Sequence, residues 1–120
     1  MECLFCKIIN NEIPAYKVYE DDFFFAFLDI NPKENGHTLI IPKKHYNDYL
    51  EIDNNIADKL FNVAKKLEKE FSAKLDAKGC TFLWNYGITQ EIKHFHLHLI
   101  PKYESKANLT VEEVYNILKK

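Results

Sequence analysis

The sequence predicts an α+β fold in which an antiparallel sheet of about five strands carries one long helix on one face. Several short runs rich in β-branched and aromatic residues are bounded by Asn, Asp, Gly or Pro, as in antiparallel strands joined by turns. A single longer stretch repeats apolar residues at helical spacing. Because 47% of the 120 residues are hydrophobic, we expect a single domain spanning residues 1–120.

The first third of the chain is predicted to hold a short helix and three strands. The helix runs from Leu4 to Asn11 and ends ahead of Pro14, because proline disfavours helical geometry in the residue before it. Residues 17–20 and 23–28 form a hairpin around an Asp-Asp turn. After a loop containing Asn-Pro and Asn-Gly, residues 37–42, HTLIIP, form a buried strand.

The long helix is predicted to begin after Asp53, which is a suitable N-cap, and to end near Gly79. Its apolar residues recur three and four positions apart, on one face: Ile56, Leu60, Val63, Ala64, Leu67 and Phe71. Residues 81–86 and 92–102 return as strands. A last helix, Val111 to Leu118, begins after a Thr with a Glu placed for a capping box.

The charge pattern argues against several partners. The formal net charge is -2 and both signs are interspersed, so no cationic stripe is present to bind polymeric nucleic acid. All 16 positive side chains are Lys, so bidentate guanidinium contacts to phosphate cannot form. The N-terminal segment lacks the apolar core of a signal peptide, and no run reaches the ~18 apolar residues that span a bilayer. We therefore expect a cytoplasmic location and no membrane association.

Residues 94–101, HFHLHLIP, place three of the five histidines at two-residue spacing. Alternate side chains of a strand point to opposite faces, so three histidines share one face: His94, His96 and His98. The apolar residues between them can pack on a core, which leaves the imidazole face for another role. A metal site and a nucleophile flanked by acid/base partners both fit this pattern.

Cys3 and Cys6 form a C-x-x-C motif. This spacing occurs in zinc sites and in thiol redox centres, and the two cysteines could also be ordinary small residues without a function. A redox pair normally begins a helix after a strand in a βαβ unit, so zinc is the better interpretation, with two further ligands from the histidines. His37 and His45 lie about 26 Å apart if the chain between them is fully extended, so we expect them in separate sites. Cys80 is expected in the core.

Four segments together resemble the histidine triad (HIT) family of nucleotide hydrolases and transferases, and they extend over nearly the whole chain: CLFCKIINNEIPAYKVYEDD, AFLDINP, GHTLIIPKKH and HFHLHLIP. Residues 94–100 fit the family's alternation of histidine and apolar residues throughout. The N-terminal C-x-x-C is similar to that of a bacterial Hint-like branch with a zinc site. The resemblance implies a HIT-like fold and, since the family usually forms them, a homodimer.

The resemblance also implies a catalytic mechanism. His96 would attack the α-phosphorus of a nucleotide and form a nucleotidyl-histidine intermediate that water hydrolyses; neutral imidazole is a competent nucleophile at pH 7. The backbone carbonyl of His94 would accept the proton on the other nitrogen of His96 and so fix its tautomer. His37 and His98 would line the phosphate and leaving-group side, where hydrogen-bond donors stabilise developing charge.

Further residues would bind nucleotide and metal. Asp29 would bind the ribose hydroxyls, and the uncharged amides of Asn85 and Gln90 would hydrogen-bond phosphate. Four residues are candidates for the apolar walls around the base: Phe5, Ile8, Phe27 and Ile30. A structural zinc ion, not needed for catalysis, would be held by four ligands: Cys3, Cys6, His45 and His94.

The chain departs from the commonest relatives between Asn85 and the triad. The loop is shorter, and Thr89 and Glu91 stand where those relatives have Gly and often Ser. The serine assists protonation of an amine leaving group in the relatives, so the resemblance does not fix the leaving group here.

The expected activity is hydrolysis of purine nucleoside phosphoramidates or related AMP conjugates. Alternatives are a dinucleoside polyphosphate hydrolase, a catalytic zinc ion held by the three triad histidines, and a nucleotide-binding module without turnover. A nucleotidyl transferase is less expected in so short a chain. Six apolar residues could form either a dimer surface or part of a monomer core, and the sequence does not choose between the two: Leu60, Phe61, Val63, Ala64, Leu67 and Leu83.

Overall fold

A computed structural model describes residues 3–120, and the predicted α+β fold is confirmed. Five antiparallel strands form one sheet in the order β1-β2-β3-β5-β4. The strands are β1 (Lys17–Glu20), β2 (Phe24–Leu28), β3 (Thr38–Pro42), β4 (Gly79–Leu83) and β5 (Leu97–Lys102). The α-helices are α1 (Leu4–Ile9), α2 (Asn54–Leu75) and α3 (Val111–Leu118). None of the helices in the described part of the chain has the length and apolar character needed to cross a lipid bilayer.

The sheet carries a hydrophobic layer on each face. On one face α2 and α3 pack against the sheet through a cluster that includes Phe24, Ala26, Ile40, Val63, Leu67, Phe71, Leu97, Leu99 and Val114. On the other face α1 packs through a second cluster that includes Phe5, Ile8, Phe25, Phe27, Leu39 and Ile41. Since Leu97 and Leu99 belong to the α2 layer, the alternating His96 and His98 point to the α1 side. The expected alternation of an apolar and an imidazole face is confirmed for residues 96–99, whereas His94 lies in a bend and not in the strand.

The turn chemistry explains the start of β2 and of α3. The backbone N–H of Phe23 and that of Phe24 each donate to Asp21 Oδ1 at 2.7 Å. The turn therefore includes Phe23, and β2 begins one residue later than predicted. At α3 the predicted capping box is present: the Thr110 hydroxyl accepts from the Glu113 N–H, and the Glu113 carboxylate accepts from the Thr110 N–H.

The ends of α2 and of β4 differ from the prediction. Asp53 is the N-cap residue, but its side chain makes no capping hydrogen bond and instead accepts from the Tyr46 hydroxyl at 3.4 Å. The helix ends at Leu75 because Asp76 adopts a left-handed conformation, with φ 60°. Gly79 then opens β4, which pairs with β5 and ends at residue 83 instead of 86.

β5 begins five residues later than predicted. Residues 92–94 form a bend, and the backbone N–H of Phe95 donates to the Tyr46 carbonyl at 2.7 Å instead of joining the sheet. His94 and His96 therefore both precede the strand, and the rings of both contact Phe5 on the α1 side. Helix α1 is also shorter than predicted, since Asn10 is its C-cap.

Three of the six residues expected at a dimer surface or in a monomer core belong to the core: Val63, Ala64 and Leu67. They face the sheet because they lie on the apolar stripe of α2. Phe61, on the opposite side of the helix, is 66% exposed. Leu60 packs partly against the core, and Leu83 lines the cleft described below.

Candidate functional site

A cleft of about 610 Å³ lies on the α1 side of the sheet, a volume in the range of small-molecule sites. Three histidines line it from β5 and from the start of β3: His37, His96 and His98. Asp29 and Lys33 reach it from the loop between β2 and β3. Residues between β4 and β5 complete the lining, so the cleft combines an apolar wall with a concentrated polar side.

His96 has a defined tautomer. Its Nδ1 lies 2.9 Å from the carbonyl oxygen of His94, and because a carbonyl only accepts, Nδ1 carries the proton. The neutral ring then has its lone pair on Nε2. Burial lowers the pKa of His96 below its ordinary value of 6.5, so the ring is neutral at pH 7. The side chain is 8% exposed.

A chain of hydrogen bonds fixes the tautomers of the other two cleft histidines. The backbone N–H of Lys33 donates to His37 Nδ1 at 3.1 Å, which places the His37 proton on Nε2. That Nε2 lies 3.0 Å from His98 Nδ1, which accepts, so His98 carries its proton on Nε2. The cleft thus contains one imidazole acceptor, on His96, and one imidazole donor, on His98.

Desolvation keeps the cleft histidines uncharged. Burial, with smaller contributions from the neighbouring His96 and His37, lowers the pKa of His98 to about 4. Burial also lowers the pKa of His37, although Asp29 Oδ2 lies 3.6 Å from its Nε2 and opposes that shift. These groups act at neutral pH as hydrogen-bonding partners instead of cations.

The apolar wall is formed from α1 and β2. The edge of the Phe5 ring contacts His96, with ring centroids 5.0 Å apart, and also contacts Phe27, at 5.6 Å. All four residues expected around a base line the cleft: Phe5, Ile8, Phe27 and Ile30. Ile30 is 73% exposed, so it lies at the opening, while the other three form the floor.

Asp29 and Asn85 lie in the cleft as expected, whereas Gln90 does not. Gln90 is buried, and its amide nitrogen donates to the carbonyls of Asn47 at 2.6 Å and of Ile92 at 3.0 Å. Its amide group therefore supports the bend that precedes the triad instead of facing a ligand.

Lys33 and Glu91 line the cleft without having been singled out as binding residues. The sequence feature that could have identified Lys33 as a cleft residue is its position directly after the AFLDINP segment. For Glu91 the signal was the departure from the family pattern at this position.

The second site is a cluster of two thiols and two imidazoles beside the cleft. The ligand atoms of Cys3, Cys6, His45 and His94 all lie within 4.8 Å of one another. His94 Nδ1 lies 3.4 Å from Cys3 Sγ and 3.6 Å from Cys6 Sγ. His45 Nδ1 lies 3.3 Å from Cys6 Sγ and 3.1 Å from His94 Nδ1. Tetrahedral zinc would require edges of about 3.6 Å between sulfur and nitrogen and about 3.3 Å between nitrogens. The four donors fit that ion.

Hydrogen bonds behind the cluster orient both imidazoles. His94 Nε2 donates to the Pro42 carbonyl at 2.9 Å, and His45 Nε2 donates to Asn47 Oδ1 at 2.9 Å. Each Nδ1 lone pair is thereby directed at the cluster, as expected of metal-binding histidines. Burial and the neighbouring Cys3 raise the pKa of the Cys6 thiol to about 11, so binding of a metal ion would release a proton.

The three triad histidines have three different Nδ1 partners, which argues against a shared catalytic metal ion. Those partners are the thiols for His94, the His94 carbonyl for His96 and His37 Nε2 for His98. Asp29, His37 and His98 are also close enough to share an ion, but the hydrogen bond between the two imidazoles already accounts for their approach.

Comparison with known proteins gives consistent results. The HIT domain family matches residues 10–105. An uncharacterised HIT-like protein of Methanocaldococcus jannaschii is 46% identical over 96% of this chain and 91% of its own. The adenosine 5'-monophosphoramidase HNT1 of Saccharomyces cerevisiae is 43% identical over 91% of this chain and 68% of its own. The crystal structure of a Zn-bound histidine triad family protein from Mycobacterium smegmatis superposes with a TM-score of 0.90 at 31% identity, covering 99% of this chain and 91% of that one. The chain is a member of the HIT family.

Proposed function

We propose that the protein is a nucleotide hydrolase that cleaves at the α-phosphate of purine nucleoside phosphoramidates or related AMP conjugates, with His96 as the nucleophile. The observation that carries the proposal is the hydrogen bond from His96 Nδ1 to the His94 carbonyl. It leaves the Nε2 lone pair of a neutral imidazole in a cleft of nucleotide size.

The reaction has two displacements. His96 Nε2 attacks the α-phosphorus, a P–N bond to the imidazole forms, and the bond from phosphorus to the leaving amine breaks. Water then attacks the nucleotidyl-histidine, releasing AMP and the free imidazole. Over the cycle one water molecule is consumed, its hydroxyl ending on phosphorus and its proton on the leaving amine.

The other cleft residues position and stabilise. His98 Nε2–H would donate to a phosphate oxygen, and His37 would hold His98 in the tautomer that allows this. Asp29 would accept from ribose hydroxyls, and the apolar wall would hold the purine. His94 acts through its backbone carbonyl, and Asn85 is available to phosphate as an uncharged amide.

Zinc is proposed as a structural ion that takes no part in the reaction, held by four ligands: Cys3, Cys6, His45 and His94. A Zn-bound histidine triad family neighbour and the tetrahedral donor set support this. Thiol ligands suit a reducing compartment, and a cytoplasmic location is therefore part of the proposal. Neither a membrane nor polymeric nucleic acid is proposed as a partner.

The assembly is proposed to be a homodimer formed across β4. This strand is an edge of the sheet, and exposed aromatic residues lie along it and beyond its end: Phe82, Trp84 and Tyr86. Tyr49 extends the aromatic surface, with ring centroids 6.0 Å from Trp84 and 5.3 Å from Tyr86. An unpaired edge beside exposed aromatic residues favours pairing with a second copy.

The test compares AMP release from adenosine 5'-phosphoramidate and from a dinucleoside tetraphosphate, with and without EDTA. We expect the phosphoramidate to be the faster substrate and the chelator to leave the initial rate intact. A faster tetraphosphate would instead identify a dinucleoside polyphosphate hydrolase. Release of AMP from neither substrate would identify a binding module without turnover.

A further inference from the structure

Glu91 places a carboxylate in the same cleft as the nucleophile. Both Glu91 and His96 line the cleft, and Glu91 is exposed to solvent. Among residues 3–120 no lysine forms an ion pair with this carboxylate within 4.0 Å. Its charge is therefore available to a ligand.

The charged residues of the lining are divided between two ends of the cleft. Lys33 and Asp29 lie at the His37 end, since the Lys33 N–H donates to His37 and Asp29 lies 3.6 Å from it. Glu91 lies beyond the His96 side, on the segment that also supplies Asn85 and Thr89. The charge of Asp29 and, to a smaller extent, that of Glu91 oppose the lowering of the pKa of His96, while Lys33 adds to the lowering of the pKa of His37 and His98. At the Glu91 end, the described lining contains a carboxylate and no cation; Lys93, outside the lining, donates to the carbonyls of Gly87 and Gln90 at 3.4 Å and forms no ion pair with Glu91 within 4.0 Å.

The placement of the nucleotide directs the leaving group to that end. If the purine occupies the apolar wall and the ribose lies at Asp29, Lys33 lies on the ribose side and His98 serves the phosphate, as in the proposed function. Thr89 and Glu91 are then the polar part of the lining left for a group attached to the α-phosphorus. This step rests on the proposed function.

We infer that the negative charge of Glu91 selects the leaving group. It favours AMP conjugates of amines that carry a second, protonated amine, and it disfavours conjugates whose leaving group is anionic, such as a polyphosphate. A carboxylate attracts a nearby cation and repels a nearby anion, and a partly water-excluded cleft strengthens both effects relative to bulk water. Because Glu91 is exposed, salt screens the interaction, and we expect about tenfold selectivity, ~1.4 kcal/mol, per step of charge.

The test uses three adenosine 5'-phosphoramidates of nearly equal size whose leaving amines differ in charge. They are the conjugates of 1,2-diaminoethane, which is cationic, of propylamine, which is neutral, and of β-alanine, which is anionic. The ratios of kcat/KM are measured for the wild-type protein, for Glu91→Gln and Glu91→Lys, and for Glu104→Gln. Glu104 is an exposed carboxylate in the segment after β5 and outside the cleft lining, so it serves as the matched control.

For the wild-type protein and Glu104→Gln we expect the cationic conjugate to exceed the anionic one about 100-fold at low ionic strength, ~2.8 kcal/mol, with the ratio falling as salt is added. Glu91→Gln should bring the ratio to within a few-fold of one, and Glu91→Lys should invert it. If the wild-type protein and Glu91→Gln had equal cationic-to-anionic ratios of kcat/KM while both hydrolysed the propylamine conjugate, the inference about Glu91 would be overturned and the proposed function would stand. Absence of AMP release from the propylamine conjugate would overturn the proposed function, and the inference with it.

Discussion

His94 joins the two sites of this protein: its carbonyl oxygen accepts from His96 Nδ1 at 2.9 Å, while its own Nδ1 lies 3.4 Å from Cys3 Sγ. One residue therefore holds the tautomer of the proposed nucleophile with its backbone and belongs with its side chain to the cluster proposed to hold zinc. Because Phe5 of α1 contacts both imidazoles, the cluster also fixes part of the cleft wall. Loss of the metal should be felt first as lost stability.

Removal of one thiol ligand should lower stability. We expect Cys6→Ser to lower the free energy of unfolding by at least about 1 kcal/mol, which corresponds to roughly 4 °C or more in Tm. Wild-type protein in EDTA should behave similarly. The matched control is Cys80→Ser, a free cysteine outside the cluster. Thermal unfolding with zinc quantified by elemental analysis tests this, and a Tm unaffected by both Cys6→Ser and chelator would contradict it.

The pH dependence of stability should report the half-buried, neutral imidazole of His98. Its pKa is about 4 in the folded chain, below the ordinary 6.5, so between these values the unfolded chain binds a proton that the folded chain does not. The free energy of unfolding should therefore fall as the pH falls from 6.5 towards 4, by at most about 1.4 kcal/mol per pH unit for this group, and should not depend on it above 6.5.

The variant His98→Asn isolates this contribution. Urea unfolding at a series of pH values should give a shallower dependence for the variant than for the wild type between pH 4 and 6.5. Parallel curves would show that His98 is protonated to the same extent in both states and would contradict its lowered pKa in the folded chain.

Asp29 should act on substrate binding through the ribose. We expect Asp29→Asn to raise KM for adenosine 5'-phosphoramidate about tenfold, since a hydrogen bond to a charged group contributes roughly 1.5–3 kcal/mol. The comparison that identifies the ribose uses the 2',3'-dideoxy substrate, for which wild type and variant should have similar KM. An equal effect of the substitution on both substrates would place the action of Asp29 elsewhere, at its contact with His37.

The dimer should depend on the aromatic surface at β4. Phe82→Glu places a charge on the edge strand, and we expect it to give a monomer, because a buried unpaired carboxylate is costly at an interface. Phe23→Glu is the matched control: Phe23 is 46% exposed against 43% for Phe82 and lies at the β1–β2 turn. Sedimentation equilibrium measures both. A dimeric Phe82→Glu variant, or a monomeric wild type, would contradict the proposed assembly.

The sequence was informative where chemistry and spacing are local. Alternation along β5, the capping box at Thr110 and the Asp21 turn each depend on neighbouring residues, and the structure contains all three. The grouping of Cys3 with His45 and His94 came from the family resemblance, since these residues are far apart in sequence. The spacing of the histidines gave only the expectation that His37 and His45 serve separate sites, which the structure bears out.

Features set by tertiary contacts were not predictable. The late start of β5 follows from the hydrogen bond between Phe95 and Tyr46, and the burial of Gln90 follows from its bond to Asn47, both 40 or more residues away in the chain. Periodicity placed Val63 and Leu67 on one face of α2 but could not decide whether that face packs on the sheet or on a second copy, and the structure packs it on the sheet.

The most direct test of the account is identification of the covalent intermediate. Wild-type protein is mixed with adenosine 5'-phosphoramidate, quenched within the first turnover in alkaline denaturant and analysed by intact-mass and peptide mass spectrometry, with His96→Ala in parallel. We predict one adenylyl group per chain, located on His96, and neither adduct nor AMP release in the variant. AMP release without any adduct, or an adduct on another residue, would contradict His96 as the nucleophile.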